Sequence, residues 1–367
     1  MTSSPKLPVL HSKWLQQFIF LGTGTSSQVP SIYCVTDDAS PCKTCPDALK
    51  PGSPNRRGCT CAVAVGAPRD APDQKSTILI DCGKSFYTSA LEVFPRYGLR
   101  RIDAVLLTHG HADAMLGLDD LRSWTMHGCI QDHVDVYLTQ ECMQTVQGAF
   151  PYLVDTSKVT GGGDVGTLRW HIIDAETPFK VGRYQVPVTP LKVEHGFVGP
   201  ERRPFECLGF RIDSLSYVSD CHAIPPSTFD RMVGSQAVVL DALNMYRHPS
   251  HFSIPQAITT ILELASRADP PVLALFVDMA HRVEYHATEA QIQQLVQGLR
   301  AFRATLPATP QDGWWTKAWD ANANESQTAL TLRPGVSDAL SDQAPESRGV
   351  PAMHLGVDGM CVHFNQS

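Results

Sequence analysis

"IDAVLLTHGHADAMLGLDDLRSW", residues 102–124, decides how the rest of the chain is read. An apolar run ends in a polar loop where His109, His111 and Asp113 alternate. Met115, Leu116, Leu118 and Leu121 then follow at helical spacing. The pattern is a buried strand, a loop and a helix. A tight loop with alternating side chains turns His109, His111 and Asp113 toward one point. Neutral imidazole nitrogens and a carboxylate oxygen there suit Zn²⁺, Mn²⁺ or Fe²⁺.

Working outward, the same design recurs. "STILIDCG" ends its apolar run at Asp81, "YQVPVTPLKVEH" at His195, and "LSYVSDCHAI" passes through Asp220 and His222. "AVVLDAL" and "PVLALFVDMAH" follow, the second ending at His281. His195, Asp220 and His281 are therefore further candidate ligands, and a carboxylate bridging two histidine-bound metals is a common way to activate water. Strands with polar ends, alternating with helices expected over residues 255–267 and 289–302, imply layered α/β packing. Residues 306–350 are rich in Ala, Asp, Asn, Gln, Ser and Pro without periodicity, which reads as a flexible insertion. "MHLGVDGMCVHF" resumes within 351–367 as a final strand or hairpin.

The whole chain has 367 residues, 43% hydrophobic and 18% charged, the balance of a soluble globular protein. A net charge of -7 argues against a generic nucleic-acid partner. No apolar run is long enough to span a membrane, and "MTSSPKLPVLHSKWLQQ" lacks the apolar core of a secretory signal. Eleven cysteines without such a signal read as thiols and metal ligands rather than disulfides. The cytoplasm is the expected compartment, with the nucleus left open. "YCVTDDASPCKTC" supplies Cys34, Cys42 and Cys45, good thiolate ligands for a structural zinc that needs one more donor. Glu284, Cys59 and Cys61 are weaker options for that donor.

Taken in order, "FLGTGTSSQVP", "LIDCG", "LLTHGHADA", "GLDDLR", "LKVEHG", "YVSDCH" and "FVDMAH" resemble the successive motifs of the metallo-β-lactamase fold. The nearest likeness is to the phosphoribosyl 1,2-cyclic phosphate phosphodiesterase and ribonuclease Z-like group. The resemblance implies an α/β fold, an αββα sandwich of two mixed sheets flanked by helices. Residues 14–305 would form the catalytic domain, with a Cys-rich zinc loop at 34–61. It implies His109, His111 and His195 on a first metal, Asp220 as bridge, and Asp113 with His281 on a second. Zn or Mn, or Fe, would fill this pair. The family's histidine after the aspartate is Ala114 here, so Asp119 or Asp120 is the expected substitute ligand. Asp81 would orient ligands from behind, and His286 would close the cysteine zinc site.

The implied activity is hydrolysis of a small cyclic or nucleotide-like phosphodiester by water activated between two metals. Asp113 and Asp220 act at the metals, and His251 in "HPSHFSIPQA" lines up as general acid or phosphate-binding group. Arg56 and Arg57 of "PNRRG", with His248, are the expected substrate-binding residues. His222 reads as a supporting or surface residue. The partner is a small molecule, and a homodimer is allowed for. The rival readings are hydrolysis of another ester or thioester, tRNA processing, and a non-catalytic scaffold. No basic arm of the kind that grips an acceptor stem is visible, which sets tRNA aside.

Overall fold

The computed structural model describes residues 6–159, 165–306, 313–334, 336 and 349–366. Seven strands come first: β1 (Leu10–Ser12), β2 (Leu15–Gly22), β3 (Cys61–Gly66), β4 (Ser76–Ile80), β5 (Ala104–Leu106), β6 (Val134–Leu138) and β7 (Leu168–Ile172). The next seven are β8 (Phe179–Val181), β9 (Val186–Val198), β10 (Arg203–Ile212), β11 (Leu215–Val218), β12 (Ala237–Asp241), β13 (Leu273–Val277) and β14 (Ala352–Leu355). The last, β15 (Cys361–Gln366), returns to the first sheet, whose order is β1-β15-β2-β3-β4-β5-β6-β7. The second sheet runs β14-β13-β12-β11-β10-β9-β8.

Strand periodicity builds the layers. In β2, Phe18 and Phe20 face the second sheet and meet Phe210, Tyr217 and Leu275, while Ile19 and Leu21 face outward. Side chains alternate across a strand, so one run serves two cores. Outside the first sheet, Phe86, Val93 and Phe94 of helix Phe86–Arg96 cover Ile19, Leu21 and Val63. Outside the second, helices Ile254–Ala265 and Tyr285–Ala304 cover Val238, Leu240, Ala274 and Phe276. The result is the expected αββα sandwich. β12 and β13 pair in parallel and are buried along their whole length, as strands covered on both faces must be.

Three expectations need correction. Residues 313–334 do not form a loose insertion. Trp314–Lys317 and Ala321–Gln327 are helical, and Trp314, Trp319 and Leu330 join the core outside the second sheet. Three large apolar residues dispersed among small polar ones give no periodic signal, yet anchor the segment. Of the rest of 306–350, only residues 306, 336 and 349–350 are among the described residues. The end of the chain is not a hairpin, because β14 pairs with β13 while β15 pairs with β2 and β1. That last pairing also carries the fold back to Leu10, ahead of the expected start at residue 14.

The helix expected after the histidine loop is broken into Ala112–Met115, Leu118–Leu121 and Arg122–Thr125. The Cys82 N–H donates to the Ala114 carbonyl (2.7 Å), and the Gly117 N–H donates to the Cys82 carbonyl (2.8 Å). This clamp brings backbone so close that a Cβ at Gly83 would stand 1.6 Å from the Asp113 carbonyl oxygen, and one at Gly117 2.4 Å from that of Gly83. Only glycine admits such an approach.

Candidate metal centres

The loop after β5 and the later part of β9 deliver the first cluster. His109, His111 and His195 each offer a ring nitrogen, and these nitrogens lie within 4.8 Å of one another. The ring centroids are 4.5 Å apart for His109–His111 and 5.2 Å for the other two pairs. Phe205 stacks on His111 at 5.0 Å and limits its rotation. The Nδ1–H of His195 donates to the Ser250 carbonyl (2.8 Å), which leaves Nε2 with its lone pair. His109 Nδ1 is 2.8 Å from Thr108 Oγ1, and His109 Nε2 is buried without a partner. Behind them, Asp81 accepts from the Thr108 N–H (2.8 Å) and hydroxyl (3.0 Å), the carboxylate-to-histidine support that ligand rings commonly have.

Burial pushes the pKa of His109 down to about 3 and that of His195 to about 4, and lowers that of His111. Both buried rings therefore stay neutral at physiological pH and keep the lone pairs that a metal needs. An orphaned, buried, neutral ring nitrogen aimed at two further imidazoles fits a divalent ion such as zinc.

Two further groups share His251. One is His195, Asp220 and His251; the other is Asp241, His251 and Asp278. His251 Nδ1 donates to Asp241 Oδ2 (2.9 Å) and lies 2.9 Å from Asp278 Oδ2. Burial opposes charge on His251, but Asp241 and Asp278 outweigh it and raise the pKa to about 12. Burial would likewise raise Asp220, but the facing His109, His195 and His251 bring it down to about 2. Asp113 lines the same pocket as His248 and His251, and its Oδ1 is buried without a donor. Burial first, and then Asp220, raise Asp113 to about 6.

The cysteine site differs from expectation in its fourth member. Cys34, Cys42 and Cys45 gather with His281, whose Nδ1 stands 3.5 Å from the Cys34 sulfur and 3.6 Å from that of Cys42. Ligands about 2.3 Å (sulfur) and 2.0 Å (nitrogen) from a tetrahedral zinc stand about 3.6 Å apart, so this spacing fits zinc. The Ser31 N–H donates to Cys45 Sγ (3.2 Å). On the far side of the ring, His281 Nε2 meets the Tyr33 hydroxyl at 2.5 Å. His281 is thus spent on the cysteine site and not on a catalytic pair.

The other candidates sort by geometry. His286 is exposed on the first turn of helix Tyr285–Ala304, and Glu284 caps that helix by accepting from the Ala287 N–H (2.7 Å). Cys59 and Cys61 are buried and join no metal-capable group among the described residues, the Cys61 thiol donating to the Asp81 carbonyl (3.1 Å). Asp119 and Asp120 join none either; Asp119 engages the Tyr152 hydroxyl. Arg57 is 1% exposed and faces the Ala280 carbonyl (3.3 Å), so it cannot grip a substrate. Arg56 is exposed but lines a different groove, with Arg96 and Ser89. His222 accepts from the Gly196 N–H (2.9 Å) and holds the turn after His195. Asp241 and Asp278 were missed as site residues, although each follows an apolar strand, "VVLD" and "LFVD", just as Asp81 does.

A pocket of about 350 Å³ is lined by Asp113, His248, His251 and His281 and walled by Thr25–Gln28, Ser31 and Tyr33 on the cysteine-loop side. A family model described as "Beta-lactamase superfamily domain" matches residues 76–273. An octanoyltransferase of Porphyromonas gingivalis (strain ATCC BAA-308 / W83) is 26% identical over 366 residues, covering 93% of this chain, which spans 66% of that protein's length. Among solved structures, a diphosphatase of the PhnP family superposes with a TM-score of 0.62 at 21% identity, covering 95% of this chain and 98% of that one. Zinc-bound PqqB from Methylobacterium extorquens gives 0.57 at 16% identity, covering 94% and 99%. These two likenesses are of fold.

Proposed function

The chain belongs to the beta-lactamase superfamily, and from that premise we propose that it is a metal-dependent hydrolase of small cyclic or nucleotide-like phosphodiesters. The observation that carries this reading is the juxtaposition of three ligand imidazoles with Asp220 and His251. His109, His111 and His195 would hold the metal, which supplies Lewis-acid polarisation of a phosphoryl oxygen and acidifies water. Asp220, ionised and facing the three rings, receives the proton that the attacking water gives up. As the new phosphorus–oxygen bond forms, the bond to the leaving oxygen breaks. His251 Nδ1 is taken by Asp241 and Asp278, so the proton available to that oxygen is the one on Nε2.

His248 lines the same pocket, and in this reading it binds a non-bridging oxygen. A volume of about 350 Å³ suits a small ester better than a polymer. The diphosphatase among the structural relatives is named for phosphate chemistry, which supports a phosphoryl substrate. The octanoyltransferase relative favours a second reading, hydrolysis of an acyl ester or thioester. Bis(p-nitrophenyl) phosphate and 2′,3′-cyclic nucleotides, assayed beside an octanoyl thioester with Mn²⁺ or Zn²⁺ present, separate the two. Turnover of the phosphodiesters alone supports the first. Turnover of the thioester alone replaces it with the second, and turnover of neither favours a scaffold.

A further inference from the structure

The fold family places two metals at this edge, and the donors that the family uses for the second are not all present here. On the side of Asp113, a second ion would need donors from residue 114 and from the end of β13. Ala114 has no donor, and its backbone is clamped to Cys82 with the methyl group 2% exposed. His281 lies in the cysteine cluster, so the β13 end offers Asp278 instead. Asp113 belongs to no group of three donors within 4.8 Å among the described residues, and Asp119 and Asp120 are no closer to forming one.

The space between Asp220 and Asp278 is occupied. His251 is the member common to the group with His195 and Asp220 and the group with Asp241 and Asp278. Its ring centroid is 4.7 Å from that of His195, and its Nδ1 contacts both Asp241 and Asp278 at 2.9 Å. A dication bound by Asp220 and Asp278 would have to share that space with the ring.

We propose that the chain holds a single catalytic metal at His109, His111 and His195, and that the His251 ring, braced by Asp241 and Asp278, stands where a second metal would sit. The inference rests on the three-histidine centre of the preceding reading, but not on the substrate. The full chain therefore binds two metals, one catalytic and one in the cysteine site.

The test is elemental analysis of the intact protein, reconstituted with Zn²⁺ and freed of loose metal. Two zinc ions per chain are expected. One should be lost in Cys34→Ser/Cys42→Ser and the other in His109→Ala/His111→Ala. Three per chain in the wild type would overturn the proposal, and so would loss of a catalytic ion in His251→Gln, which would make His251 a ligand. Manganese placed in the catalytic site should give an uncoupled mononuclear electron paramagnetic resonance spectrum; a spin-coupled pair would contradict it. A count of three leaves the phosphodiesterase reading standing. A count of two with no phosphodiester turnover refutes that reading and leaves this one intact.

Discussion

In the proposed hydrolysis, His251 is the residue on which the chemistry turns. It is half-buried, it donates to Asp241, and it sits against Asp278. His251→Gln should lower kcat by roughly 10²- to 10⁴-fold, as loss of a general acid does, with a smaller change in KM. The sign of the pH effect follows from its partners. With two carboxylates raising the pKa to about 12, the acid form persists through the alkaline range, and no loss of activity due to His251 is expected below that pH. Asp278→Asn removes one of the two carboxyl groups that raise it, so the pKa falls and an alkaline limb should enter the measurable pH–rate profile. An unchanged limb would separate Asp278 from the proton on His251. Asp81 acts at one remove, through Thr108. Asp81→Asn should weaken metal binding roughly 10- to 100-fold, read by competition with a chelator.

At the scale of elements, the apolar strands and the polar residue ending each were legible because burial on both faces leaves little freedom of composition. Asp81, His195 and Asp220 were picked out in this way. The partition of ligands between two sites was not legible. His281 and His286 both lie near the start of helix Tyr285–Ala304 in "DMAHRVEYH", and only the path off β13 decides that His281 turns toward Cys34 and Cys42. Ala114 could be seen as a missing imidazole, but not what fills its place, since Asp241, Asp278 and His251 come together from three separate segments. The cysteine site should act as a staple for the loop that walls the pocket. Cys42→Ser is expected to lose one zinc and to expose residues near 28–57 to limited proteolysis, while the three-histidine metal stays. Proteolysis unchanged from the wild type would deny the staple.

At the scale of the whole molecule, two sheets share one core and helices cover both outer faces, so the site at the strand ends inherits its rigidity from the sandwich. The segment after helix Tyr285–Ala304 belongs to that framework. Trp319 is 1% exposed, and its indole N–H donates to Thr259 Oγ1 (3.0 Å) on helix Ile254–Ala265. Trp319→Ala should cost about 3–5 kcal/mol in urea unfolding, the range for a large buried aromatic, whereas a loose insertion would cost almost nothing. A polar, aperiodic composition concealed this because a few anchors suffice when the surface they cover already exists.

Whether the three-histidine centre carries the proposed phosphodiester hydrolysis is read by titrating metal-depleted protein. With the cysteine site filled by zinc, Mn²⁺ is added stepwise while bis(p-nitrophenyl) phosphate turnover is followed in the wild type and in His109→Ala/His111→Ala. Wild-type activity should rise and reach its plateau at one further metal per chain, and the variant should stay inactive throughout. Turnover in the variant, or a metal-loaded wild type that cleaves no phosphodiester, would contradict that role of the centre.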